Sequence, residues 1–455
     1  MHRVALVALG SMLAACASPS LAVDGGLDAA LDAGLDASRP DARVPVDAAP
    51  LPGRFVVVGH SDLGARGMNA GLALDGEWAY VGARNDTPGV LVVSVADPAR
   101  PEVRATIAGT PGHSMRELRV VPESDVLVVI EMHCYPDSHA CAMPPADAGA
   151  LRIYDIAVPD APALLETIPL LPDAHEMFLW RDPADPERSL LYLTTPPGPP
   201  ALVVYEIRPG GRPARLLATF DHPIDDRYAD EIHSISISDD GRTGYVAHTG
   251  AGFLLLDTSE LASGAVDPVI RTTAIHDPAP PYPAAAHSFV PVPGRAIAIT
   301  TDEVYPTPLG DGCPWGWMRV LDVSSPDRIV PMGELRLAEN QPGACTEAVF
   351  TAHNPTPLEN VALVSWYAGG LRAIDISDPA RPTELAAFLP EPLARVDVED
   401  PLLSAAHVMG WSYPVVQDGL VYLVDARNGL YVLRYEGPRE EEIAAASFRD
   451  GSSNL

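Results

Sequence analysis

The chain is poor in positive charge. It carries 30 Lys and Arg against 61 Asp and Glu, a formal net charge of -31 over 455 residues. Such a field repels polyanions, which argues against nucleic acid and anionic lipid surfaces as partners and favours solubility. Aromatic residues make up only 6% and there are five cysteines. No two cysteines stand at CxxC spacing, so the short-spaced zinc pair is missing. So are a Gly-rich phosphate loop, a G-x-S-x-G nucleophile elbow and an H-E-x-x-H helix. His-Ser dipeptides occur at 113, 233 and 287, but neighbours on a strand point to opposite faces and cannot form a nucleophile-base pair.

At the start, His2 and Arg3 precede an apolar run over 4–15 that is too short to span a membrane. Leu13, Ala14, Ala15 and Cys16 resemble the lipobox of bacterial lipoproteins. That resemblance implies a signal peptide at 1–15, acylation of Cys16 and anchoring to the bacterial envelope, at the outer membrane or cell surface. An ordinary signal peptide cut near Ala17 or Ala22 is the alternative, and export follows from either. Residues 16–52 repeat Asp, Ala, Gly and Leu, turn rich in Pro and hold no aromatics, the composition of a disordered tether.

What the chain has in quantity is Pro (48) and Gly (36), beside an apolar fraction of 47%. That mixture favours many short strands joined by turns. One pattern recurs. Residues 89–101 read GVLVVSVADPARP and residues 370–382 read GLRAIDISDPARP, with weaker copies at 150–156, 201–207, 253–257, 318–323 and 429–435. The seven copies follow at steps of 51 to 65 residues, a propeller-like period. Around the fourth copy, residues 233–238 alternate, 239–241 turn, 244–248 return and 269–273 close, so each unit holds four antiparallel strands. The last unit lacks its fourth strand, and residues 54–59 can supply it. The expectation is all-β: a single closed β-propeller of about seven four-stranded blades over 53–437, the N-terminal strand closing the last blade, with an acidic flexible tail at 438–455.

The copies at 89 and 370, each followed by Asp-Pro-Ala-Arg-Pro, resemble the LVIVD-repeat family of bacterial surface propellers over about residues 54–435. The resemblance is specific in the first and sixth copies and degenerate in the third and seventh. It implies export, a propeller and an anchor. It carries no established activity, so a site must be argued from this chain's own residues.

Aligning the units places His113, His175, His233, His287 and His353 at one position, the start of the innermost strand. Asn69 stands there in the first unit, and Trp411 or Ser412 in the seventh, with His407 just upstream. Inner strands line a propeller's channel, so these imidazoles converge. Neutral imidazole suits iron, copper and zinc, and one transition-metal ion is the expected cofactor. Copied packing residues that hydrogen-bond within each blade would give the same pattern. Glu176 and Glu231, with Asp230 and Glu347, are second-shell or loop carboxylates, and strand alternation turns Glu176 away from His175's side.

Four cysteines besides Cys16 suggest staples Cys134–Cys141 and Cys313–Cys345 in an oxidising compartment. The His-rich loop around the first staple, and Trp315 and Trp317, are either channel rim or loop packing. Two functional classes follow: a monomeric binding module for a protein or glycan with a histidine-lined metal site, or a metal-dependent oxidoreductase or hydrolase using that site.

Overall fold

The computed structural model describes residues 50–455 apart from 88, 136–138, 142–147, 196–199, 211, 222–230, 278–284, 308–309, 311, 342 and 404. The expected signal peptide, Cys16, the tether up to 49 and Asp230 lie outside the described residues. Among those described, no helix is long and apolar enough to cross a membrane.

The body is built from four-stranded antiparallel groups with consecutive strands adjacent, as in Ile232–Ile237, Thr243–His248, Gly252–Asp257 and Arg271–His276. Apolar content grades across each group. The inner strand Ile232–Ile237 is buried at every residue, while Arg271–His276 alternates with solvent. Four of the six sheets hold four strands each, and one holds two groups joined through Ala83 and Met115. In the remaining sheet Arg54–Ser61 pairs with Gly429–Glu436, so the N-terminal strand completes the last group as its sequence suggested.

The core is spread over seams between consecutive groups. Leu190 and Tyr192 pack on Val246 and Leu254, and Ile299 and Val320 on Val364 and Trp366. Leu72, Val81 and Leu91 near the N-terminus pack on Tyr422, Val424 and Val432 of the last group. At about 25 cal/mol per Å² of apolar surface removed from water, such seams are what holds otherwise marginal small sheets in place.

The repeated Asp-Pro-Ala-Arg-Pro has a mechanical role. Asp97 accepts from the Ala99 N–H at 3.1 Å and pairs with Arg100, and Asp378 does the same with Ala380 and Arg381. Each locked turn lies against the outer strand of the preceding group at a glycine. A Cβ on Gly59 would stand 2.1 Å from the Pro98 carbonyl oxygen, and one on Gly333 would stand 2.5 Å from that of Pro379. Both expected disulfides, Cys134–Cys141 and Cys313–Cys345, are formed.

The C-terminal residues differ from the expected flexible tail. Glu440–Ala445 is a helix whose Ile443 is buried in the last seam, and Phe448–Arg449 pairs with the inner strand Val415–Gln417. The chain then crosses to another group, where the Leu179 N–H donates to the Ser452 carbonyl at 3.1 Å and the Arg181 N–H to the Asn454 side chain at 2.7 Å. Composition alone misleads here, because the acidic run at 440–442 sits in the first turn of a helix, where negative charge is favoured. Its three large apolar residues, Ile443, Phe448 and Leu455, all reach core clusters.

Because the Gly333 contact is with backbone, Gly333→Val is expected to cost about 1–3 kcal/mol through overpacking. Urea unfolding monitored by far-UV circular dichroism reads this as a lowered midpoint, and an unchanged midpoint contradicts the turn-on-strand packing.

Candidate metal centre

Each inner strand opens on an irregularity in which two of its residues face one on the second strand. The register slips between Met115 and Glu117, Ile232 and Ser234, and Ala286 and Ser288. In the third, sixth and seventh groups the pairs His175 and Glu176, His353 and Asn354, and Trp411 and Ser412 bracket Thr194, Ser365 and Val424 in the same way. Such bulges re-aim side chains next to functional sites. They define the equivalent position directly: Arg116, His175, His233, His287, His353 and Trp411, with Ala70 in the first group.

Four of the five expected histidines are thus brought together, and the fifth is not. His113 lies three residues before the bulge, stacks on His133 at 5.1 Å and faces the Pro111 carbonyl through Nδ1 at 3.3 Å. Its His-Ser dipeptide matches the copies at 233 and 287, but the ladder puts Arg116 in its place. Asn69 is also displaced by one: it accepts from Arg66 at 2.6 Å and donates to the Ala426 carbonyl. His407 is exposed and its carbonyl accepts from Asn428, so it contributes nothing to the centre. Trp315 and Trp317 are packing residues, donating to Thr346 at 3.1 Å and Glu334 at 3.0 Å.

The four imidazoles form an arc. His175 Nε2 stands 3.1 Å from His233 Nε2, the His233 and His287 rings are 4.1 Å apart, and the His287 and His353 rings 4.3 Å apart. Facing them is Glu303, a residue the sequence reading did not single out. Its carboxylate lies 3.6 Å from His233 Nε2, 3.7 Å from His287 Nε2 and 3.5 Å from His353 Nε2. These distances are too long for hydrogen bonds. They match the separation of about 3.4 Å between two ligands of a tetrahedral ion bound at about 2.1 Å.

The ring nitrogens agree with that reading. His353 Nδ1 donates to the Trp411 carbonyl at 2.7 Å, and His287 Nδ1 meets Ser288 Oγ at 2.7 Å. A carbonyl only accepts, so the neutral His353 ring keeps its Nε2 lone pair free, as second-shell bonds do for metal-ligating histidines. Nε2 of both rings is buried without a hydrogen-bond partner. Candidate ligand atoms of His287, Glu303 and His353 all lie within 4.8 Å of one another, as do those of Glu176, His233 and His287. Glu176 therefore faces the site: the bulge cancels the alternation that predicts it to point away. Glu231 stands 4.0 Å from His175 Nδ1.

A second layer comes from the ends of the second strands. Arg84, Glu303 and Tyr367 hold equivalent positions two residues beyond the bulge partner, and aligning second strands as well as inner ones would have found Glu303. Tyr367 donates to Glu303, lies 3.2 Å from the Tyr305 hydroxyl and stacks on Trp411 at 5.2 Å. Arg84 pairs with Asp400 at 2.5 Å and lies over Trp411 at 4.1 Å.

Burial sets the charge state. It lowers the His175, His287 and His353 pKa values well below the ordinary range and takes His233 down to about 3, with Arg116 adding to each. It raises Glu303, lifts Glu231 to about 7 and Glu176 to about 8, opposed by Arg116. Burial thus favours the neutral, ligating form of the imidazoles, and it raises the carboxyls so that a cation bound there competes with protons.

The family model of the LVIVD repeat matches residues 358–389, the sixth copy of the repeat. Two solved structures of Sqt1 from Chaetomium thermophilum are among those the chain resembles at low identity. One is 13% identical at a TM-score of 0.47, covering 87% of this chain and 89% of that one. The other is 13% identical at 0.48, covering 82% and 86%. No curated protein matches the sequence.

The pKa shifts fix a pH dependence for the metal-free chain. Carboxyls with raised folded pKa values favour the fold below their ordinary value of 4.5, and lose that contribution as pH climbs through about 7 for Glu231 and about 8 for Glu176. The lowered His233 acts oppositely: its contribution is full above 6.5 and lost as pH falls through about 3. Thermal stability of metal-free protein is therefore expected to fall from pH 6.5 to 9, and Glu176→Gln to flatten that fall. An alkaline limb identical in the variant contradicts the assignment.

Proposed function

We propose that this protein is an exported binding module, a closed seven-bladed LVIVD-type propeller holding one transition-metal ion in its central channel. The ligands are Nε2 of His287 and His353 and the Glu303 carboxylate, with His233 beside them. The observation that carries this reading is the set of buried Nε2 atoms, two of them without hydrogen-bond partners, at 3.5 to 3.7 Å from one buried carboxylate. A donor set of nitrogen and oxygen suits iron, copper or zinc.

Support for the closed ring comes from the N-terminal strand in the last sheet and from the seam that packs the last group on the first. Seven blades follow from the seven repeat copies, and the LVIVD match at 358–389 supports the repeat type. The two disulfides favour an oxidising compartment. With the lipobox-like Cys16, they support an exported chain anchored by an N-terminal lipid to the bacterial envelope, working as a monomer and presenting its loops to a protein or glycan.

One observation favours an enzymatic use of the same ion. Two imidazoles and one carboxylate, as in His287, His353 and Glu303, are a three-ligand set that leaves coordination positions open in zinc hydrolases and non-haem iron oxygenases. Such a site would serve a hydrolase or oxidoreductase.

The test is elemental analysis of the chain purified without chelator or His tag and reconstituted with zinc. The expected result is about one ion per chain, lost in a His287→Ala, His353→Ala double variant and weakened about tenfold or more in Glu303→Gln. No bound metal in the parent, or equal loading in the variants, overturns the reading.

A further inference from the structure

The position that breaks the run of histidines is a buried cation. Arg116 is only 6% exposed, its Nε is buried without an acceptor, and among the described residues no carboxylate lies within ion-pair distance of its guanidinium. The other channel arginines are neutralised: Arg84 by Asp400 at 2.5 Å and Arg119 by Glu117 at 3.3 Å. Buried charges are normally paired, and a guanidinium offers donors only.

Next to it is a second donor without an acceptor. The indole Nε1 of Trp411 is buried and unpartnered, and the ring lies 5.8 Å from the Arg116 guanidinium carbon. Trp411 also connects this spot to the metal position, because its ring is 4.6 Å from that of His353 and its carbonyl accepts from His353 Nδ1. Two donor-only groups near one another, among the imidazoles and within electrostatic reach of Glu176, Glu231 and Glu303 but bonded to none of them, call for a ligand that only accepts.

We propose that the channel binds a small oxyanion, a carboxylate or phosphate group, on Arg116 and the Trp411 indole N–H, beside the ion held by Glu303, His287 and His353. Arg116 supplies the planar donor pair such groups accept bidentately. The second face of the anion rests on the metal-centre reading, while the Arg116 contact does not need it.

The test is isothermal titration calorimetry of acetate and of inorganic phosphate into the full chain, zinc-loaded and metal-free. Parent, Arg116→Gln, Arg116→Lys and Trp411→Phe are compared, each checked for metal content and for a parent-like far-UV spectrum. Saturable binding of either anion to the parent, weakened about tenfold or more by Arg116→Gln and largely kept by Arg116→Lys, is the expected result. If Arg116→Gln does not fold, Trp411→Phe carries the comparison, with weakened binding expected. No saturable binding of either anion, or equal affinity in parent and variants, overturns the proposal. A chain that loads zinc but takes up neither anion loses this site and keeps its metal centre. A chain that binds an anion through Arg116 without taking up zinc keeps this site and loses the metal centre.

Discussion

The bulge at the start of each inner strand is the constraint on which the rest depends. A regular ladder would send alternate residues to opposite faces, and the inner strands would not turn equivalent residues the same way. With two residues set against one, every group turns one side chain toward the same place. The seams then fix where that place is, because Leu190 on Val246, or Val424 on Leu72, leaves the inner strands no freedom to slide. The histidines are close because the packing around them is rigid.

That rigidity has an electrostatic consequence. Glu303, Glu176, Glu231 and the four imidazoles sit where water is scarce, so burial pushes all of them toward neutrality. Groups shifted in this way would bind a cation in competition with protons on the carboxyls. The Arg116 guanidinium opposes that push on Glu176, Glu231 and Glu303. Glu117 and Arg119 form a buried ion pair with Asp450 in electrostatic reach, on the C-terminal segment that runs from the Val415–Gln417 strand to Leu179.

Much of this is legible in the residues. The period, the four strands per group and the Asp-Pro turns follow from alternation and turn chemistry, which are local; the disulfides follow from the cysteine count, and the completing N-terminal strand from the strand that the last unit lacks. Four of the ring histidines are legible for the same reason: the copies at 175, 233, 287 and 353 begin their strands alike. The misplacement of His113 shows the limit, since a matching His-Ser outweighs a register that only the ladder between Met115 and Glu131 reveals. Arg116 is hidden because it is a single departure from the recurring histidine, and Glu303 because it lies at the end of a second strand, which an alignment of inner strands leaves out. The ordered C-terminus is hidden because its partners, Val416 and Leu179, are far away in sequence.

The measurement that bears most directly on the central claim is X-ray absorption at the metal edge of the zinc-loaded chain. A channel centre built on His287, His353 and Glu303 gives a nitrogen and oxygen shell at about 2.0–2.2 Å with the outer-shell scattering of at least two imidazoles, and no sulfur near about 2.3 Å. A sulfur shell, or an oxygen shell without imidazole scattering, contradicts it.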